Sequence, residues 1–296
     1  MLTHLHSQAK IPARVMVIGA SGVIGKALLS HLAAAGIPVI APSSRELDLL
    51  GQGADERLAA IFRPGDAVVM LAALTPDRGR DIATFMKNLK MAEAVCAALA
   101  KVPVAHVVYL SSDAVYPFGQ GVINEDTPAV PFDLYGIMHR AREVMFAQQV
   151  TEAVPLAVLR CTLVASAADT HNSYGPNRFL KEARAKGTIT LGGEGEETRD
   201  HVLVEDVAVM IERVLIHRSR GLLNIASGSS VSYRELAELV AAGFSSRPQI
   251  RTTPRTNSVT HRHFDVTATR RAFPDFRFTK LLIGLDRIYR ATSGVD

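Results

Sequence analysis

The sequence contains no tryptophan, aromatic residues make up only 6%, and its 33 basic side chains outnumber its 29 acidic ones by just four. A nucleic-acid-binding surface is built from dense basic charge interleaved with aromatics, so a nucleic-acid partner is not expected. The small excess lies near the C-terminus, at Arg251, Arg255, Arg262, Arg270 and Arg271. There it reads either as solvated surface charge or as a few ligands for a small phosphorylated molecule. Only two cysteines occur, Cys96 and Cys161, far apart and in apolar surroundings. They suggest buried thiols in a reducing compartment, with neither a disulfide framework nor a zinc site. No His, Cys and carboxylate cluster has metal-ligand spacing, so no metal is expected. No apolar run reaches the roughly 18–20 residues that span a bilayer. The longest candidate, Val102–Leu110, is interrupted by Pro103 and His106. Met1–Lys10 carries His and Ser where a secretory signal needs an apolar block. A soluble cytoplasmic protein with no membrane association is the expectation.

What is present is an ordinary globular composition, 48% hydrophobic and 21% charged over 296 residues, enough for one large domain or two small ones. No internal repeat or low-complexity tract is visible. The first half alternates β-rich runs (Arg14–Gly19, Pro38–Ala41, Ala67–Ala72, Val104–Leu110) with segments of helical periodicity (Val23–Ala35, Asp55–Phe62, Thr84–Ala100). Continuous apolar strands separated by helices imply an α/β fold, a doubly wound parallel sheet covered on both faces. After residue 165 the texture changes to Gly, Asn, Thr and charge, with helix-like Arg178–Lys186. Ser232-Tyr-Arg-Glu235 forms a capping-box pattern opening the helix Tyr233–Ala242. The expected division is a dinucleotide-binding domain over 1–164 and a smaller substrate lobe over 165–296, with segments at about 200–230 returning to the first core.

Gly19-Ala-Ser-Gly22-Val-Ile-Gly25 follows the first strand directly and opens the first helix. The first glycine permits a tight turn, the second lets backbone amides approach a pyrophosphate, and the third lets helix and strand pack closely. The helix N-terminus then presents unpaired N–H groups to the anion. In this context the pattern indicates a Rossmann dinucleotide site, with Gly19, Ser21, Gly22, Val23, Ile24 and Gly25 as candidate contacts. Cofactor choice is set at the end of the second strand, where an acid would bind the ribose of NAD. Here Ser43, Ser44 and Arg45 occupy that place, and hydroxyls with a guanidinium suit a 2′-phosphate better. The reading leans to NADP over NAD. Asp48 is placed to accept from the adenine amino group, beside Leu49.

The buried run Val107–Ser112 ends in hydroxyls and continues as Asp113-Ala-Val115-Tyr116-Pro117, and Tyr135-Gly-Ile-Met-His139 follows. Here the chain resembles the extended short-chain dehydrogenase/reductases, in their nucleotide-sugar epimerase/dehydratase/reductase branch. The resemblance runs through Gly19–Gly25, Leu71-Ala72-Ala73, Asn88, Ser111–Tyr116, Tyr135-Gly136 and Asn172–Pro176, and on through Gly192–Gly195 and Thr198–Asp206. It implies Tyr135 as general acid/base on a sugar hydroxyl or carbonyl, Ser112 as hydrogen-bond donor to the same oxygen, and hydride exchange with a nicotinamide. It also implies cofactor contacts at Leu71, Ala72, Ala73 and Asn88.

Two departures matter. A tyrosine near its ordinary pKa of about 10 needs nearby positive charge to act as a base at neutrality. The family supplies a lysine four residues later, which also binds the nicotinamide ribose; this chain has His139. Neutral imidazole can hydrogen-bond a ribose hydroxyl, but it is charged only below about 6.5. His139 as a working substitute, a weakened enzyme and a binding-only descendant therefore remain three readings. Second, the 4,6-dehydratases follow the catalytic hydroxyl with Asp-Glu, whereas here Ala114 follows Asp113. Elimination of water is disfavoured, leaving 4-epimerisation or reduction of a 4-keto sugar, and the NADP-leaning loop favours reduction. Asp113 then reads as a substrate contact or as loop polarity.

On the substrate side, Asn172 heads the segment that in the family holds the phosphates of a nucleotide-diphospho-sugar, after an insertion at Ala165–His171. Arg199 matches a recurrent diphosphate-binding arginine, unless it pairs with Glu196 or Asp200. Arg178 and Arg262 are further candidate phosphate ligands. Family members commonly form homodimers through the helices corresponding to Thr84–Ala100 and Tyr135–Gln149, and a homodimer is expected. The competing reading is a cofactor-sensing regulatory protein that has lost turnover; intact Ser112 and Tyr135 favour the enzyme, His139 the sensor.

Overall fold

The computed structural model describes residues 1–119, 121–169, 175–256 and 258–292. Four apolar runs, Val15–Ile18, Ala67–Met70, His106–Ser112 and Leu156–Cys161, become neighbouring parallel strands because each carries apolar side chains on both faces. The period of two is explicit. Val15, Val17, Ala67, Val69, Val108 and Leu110 enter one core, whereas Met16, Ile18, Val68, Met70, Val107 and Tyr109 enter the other. The first core is roofed by helices Val23–Ala34 and Val204–Ile216, the second by Ala54–Ile61, Ile82–Lys101 and Leu134–Gln149.

The seven-stranded sheet runs Thr3–His4, Ser219–Ile225, Leu156–Cys161, His106–Ser112, Ala67–Met70, Val15–Ile18, Val39–Ile40, and only the Thr3–His4 edge is antiparallel. Its order reverses between Val15–Ile18 and Ala67–Met70, so a crevice opens at their carboxyl ends. This is the doubly wound Rossmann architecture. Helix boundaries fall within two residues of those read from periodicity, and the Ser232–Glu235 capping box forms with both of its hydrogen bonds.

A third core joins helices Asn177–Lys186, Tyr233–Ala242 and Leu281–Thr292 to the parallel pair Thr188–Gly192 and Gln249–Thr253. This smaller lobe also takes in Ala165 and Leu203, from the parallel pair Leu163–Ala165 and His201–Leu203. Cys96 and Cys161 are buried and free. Among the described residues, no helix is long and apolar enough to cross a membrane.

A candidate active site at the sheet switch point

A cleft of about 910 Å³ runs along the switch point and under the smaller lobe. Its floor is the turn at Gly19, which has φ +93° and whose Cβ, were there one, would lie 2.5 Å from the Ala72 nitrogen. Only glycine permits both that backbone conformation and that approach. The following helix, Val23–Ala34, has Gly22 at its N-cap, no side-chain cap and no acid in its first turn. Its first amides therefore face the cleft uncompensated, a ready anion site. Gly19, Ser21, Gly22, Val23, Ile24 and Gly25 all line the cleft, as do Leu71, Ala72 and Ala73 opposite.

Other expected cofactor residues divide. Ser44, Asp48 and Leu49 line the cleft, whereas Ser43 and Arg45 do not; Ser43 turns its amide and hydroxyl toward Glu46 instead. Asp48 accepts from the Leu50 N–H at 2.9 Å. Asn88 reaches the cleft wall, but its amide is spent on Leu74, accepting from the backbone N–H (2.8 Å) and donating to the carbonyl (3.0 Å). It holds the strand end in place and has little left for a ligand.

The chemical end is built where His106–Ser112 stops. Ser112 caps the short turn Asp113–Val115 by accepting from the Ala114 N–H at 3.1 Å. Among the described residues its hydroxyl hydrogen has Asp113 Oδ1 at 3.5 Å, a contact weak enough to yield to a ligand oxygen. Helix Leu134–Gln149 starts at Asp133, whose carboxylate accepts from the Gly136 N–H at 2.7 Å. Gly136 lets that first turn sit directly on the Ser112 turn, since a Cβ there would collide with the Ala114 carbonyl oxygen. Tyr135 is thereby delivered to the cleft wall that Ser112 also lines.

His139 lies beneath Tyr135, ring centroids 4.7 Å apart and edge to face. It is 3% exposed, and its Nδ1 is 2.7 Å from the Tyr109 hydroxyl, while Nε2 has no partner among the described residues. Burial, reinforced by the Arg142 charge, pushes its pKa down to about 3. The imidazole is therefore neutral at neutral pH, well clear of the 6.5 of a free side chain. Arg140 points elsewhere and pairs with Glu143 at 3.1 Å.

Asp113 is not exposed loop polarity. It is buried and ion-paired to Arg262 at 3.0 Å, and Arg262 also donates to the Asp113 carbonyl and, at 2.8 Å, to that of Tyr116. Arg262, 4% exposed and stacked on Phe118, is thus spent on the Ser112 turn although it borders the cleft. Arg199 lines the cleft, held by Thr260 through its carbonyl (2.7 Å) and hydroxyl (2.6 Å) and resting on Phe118 and Tyr233. Neither suggested ion pair forms, because Glu196 pairs with Arg255 and Asp200 accepts from the amides of Ser227, Gly228 and Ser229. Arg178 lies away from the cleft lining, against Glu182 and the Thr190 carbonyl. Asn172 lies outside the described residues.

Sequence reasoning missed the layer behind the site. Ser111 donates to Glu143 at 2.7 Å, and Glu143 is clamped by Arg160 through two hydrogen bonds of 2.9 and 2.8 Å. Tyr109 and Arg142 back His139. Helical spacing from Tyr135 could have found Arg142; no local signal marks the others.

The family model described as "NAD dependent epimerase/dehydratase family" matches residues 15–226. GDP-6-deoxy-D-mannose reductase of Pseudomonas aeruginosa is 30% identical, over 77% of this chain and 79% of that one. The structure is similar to that of the UDP-glucose 4-epimerase of Thermus thermophilus in complex with NAD, at a TM-score of 0.83 and 21% identity, covering 96% of this chain and 100% of that one. It is also similar to RMD from Pseudomonas aeruginosa complexed with NADPH, at a TM-score of 0.82 and 24% identity, covering 96% and 100%. By sequence and by fold, this chain belongs to the NAD dependent epimerase/dehydratase family.

Proposed function

We propose that this protein is an NAD(P)-dependent oxidoreductase or epimerase acting at one ring carbon of a nucleotide-diphospho-sugar, with Tyr135 as the acid/base. One observation carries the reading: the glycine turn, Ser112, Tyr135 and His139 line one continuous cleft at the sheet switch point. The residues present fit a dinucleotide. The helix N-terminus at Val23, without a side-chain cap, suits its pyrophosphate, and the buried Nε2 of His139, without a partner among the described residues, suits a ribose hydroxyl. When bound, the nicotinamide supplies or accepts the hydride. Ser112 donates its weakly held hydroxyl hydrogen to the reacting sugar oxygen, and Tyr135 gives that oxygen a proton or takes one from it. With the Tyr109 hydroxyl donating to Nδ1, His139 carries its hydrogen on Nε2 and donates without charge. Arg199 is the diphosphate ligand, its fork already oriented by Thr260.

Ala114 leaves the site without a second acid beside Asp113, and Asp113 is itself tied to Arg262, which supports reduction or epimerisation over dehydration. Ser44 in the cleft lining supports NADP, and exposed Arg45, outside that lining, would turn in to meet a bound 2′-phosphate. Arg45→Ala should weaken NADPH about 10–100-fold, the size of one charge-assisted contact, and leave NADH unchanged; calorimetric titration checks this. Two free buried thiols support a reducing, cytoplasmic setting. The test of the activity is turnover across UDP-, dTDP- and GDP-sugars and their 4-keto derivatives with either cofactor. Turnover of at least one is expected. Cofactor binding without any turnover would instead support the sensor reading.

A further inference from the structure

Behind the cleft wall lies a buried cation that the reading above leaves unused. Arg142 is fully buried on helix Leu134–Gln149, seven residues after Tyr135 and three after His139, so all three share one face. Helical side chains lean toward the N-terminus, and Arg142 does so, reaching Met138 Sδ at 3.8 Å. Its charge reaches His139, whose ring centre lies 4.7 Å from that of Tyr135. It donates to the Ala72 carbonyl at 2.8 Å, at the strand end that meets Gly19, and lies 5.4 Å from the Tyr109 ring centre. Nε has no partner, and no carboxylate pairs with the group among the described residues.

The groups facing it do not neutralise it. From the sheet, the Tyr109 phenol is pushed up by burial and stays protonated. From helix Ile82–Lys101, burial pushes the Cys96 thiol up to about 11. On its own helix His139 is neutral, and Glu143 is shared between Arg160 and Arg140. Nearer Tyr135, Asp113 is matched by Arg262, and Asp133 is the helix cap. A guanidinium cannot shed its proton, so a buried charge remains without a matching anion.

We propose that Arg142 is a positioning residue for the cleft chemistry. It is the fixed positive charge that stabilises the Tyr135 phenolate. Position 139 then keeps hydrogen bonding and the charge has moved one turn along the same face, to a residue that touches neither substrate nor cofactor. The inference rests on the assignment of Tyr135 as acid/base, but it can be read without turnover.

The experiment is a spectrophotometric phenolate titration of the full-length wild type without substrate. Subtracting the Tyr135→Phe curve isolates one phenol. The wild-type midpoint is expected below the ordinary value of about 10. Arg142→Met should raise it by about one pH unit or more, and Arg142→Lys should hold it near the wild-type value. A wild-type midpoint at or above 10, or a midpoint unmoved by Arg142→Met, overturns the proposal. If Arg142→Met does not fold, Arg142→Gln and the wild-type midpoint still decide it. In active enzyme the limb of the kcat/KM profile that reports the phenol, acid where Tyr135 takes the proton and alkaline where it gives one, should move with the phenol midpoint, which a purely structural role would not produce. Absence of turnover across the substrate panel would refute the functional reading while leaving the phenol titration valid.

Discussion

Burial decides what the sealed histidines contribute. His106, His139 and His201 are all pushed down, to about 4, 3 and 4, chiefly because burial penalises the charged form. Each folded-state value lies below the unfolded one, so the unfolded chain binds the extra protons in acid. Their neutral-form stability is complete above about 6.5 and is lost as pH falls toward 4 and then 3. His139 alone should cost about 2 kcal/mol between pH 7 and pH 5. Urea unfolding at those two pH values should therefore show His139→Gln losing about 2 kcal/mol less than the wild type. Equal losses would mean that His139 is hydrated and titrates normally. Little of this was legible from residue types, since a His four positions after a Tyr has the same spacing whether it is exposed or sealed. Sealing comes from Tyr109, which reaches it from a strand with Arg142 set over its ring, and from the Tyr135 ring edge-on.

At the scale of elements, the site depends on how the start of one helix sits on the end of one strand. Gly136 makes that contact possible, and Gly136→Ala should force apart the helix carrying Tyr135 and the turn carrying Ser112. The cost should be about 1–3 kcal/mol, as for other overpacked interiors, with a loss of kcat of at least about tenfold. Thermal unfolding and steady-state kinetics check the two parts; a variant with native kcat would show that the contact does not set the geometry. Elements are also where reading from sequence worked best. The strands announced themselves as apolar runs because both faces are buried, and the glycine turn because its spacing has few other uses. Cross-element pairs stayed hidden. Arg262 looked like a phosphate ligand by charge, yet it is spent on Asp113 and Tyr116, and the Glu143–Arg160–Ser111 link joins one helix to two strands.

For the whole molecule, helices Ile82–Lys101 and Leu134–Gln149 cover one face of the sheet and still show Ile82, Met86, Ile137 and Val144 to solvent, at 70%, 44%, 39% and 44% exposure. A second copy packed there as a homodimer would bury them. The wild type should sediment as a dimer and the double variant Ile137→Glu, Val144→Glu as a folded monomer; a wild type that is monomeric at high concentration would contradict this. The proposed chemistry of the cleft runs through one phenol, that of Tyr135. The most direct measurement compares the rate of the sugar-nucleotide reaction in wild type and Tyr135→Phe, with cofactor affinity measured alongside. A fall in kcat of about 10²–10⁴-fold with cofactor affinity preserved is the expected result. An unchanged kcat in the variant would contradict the account and place the proton transfer on another group.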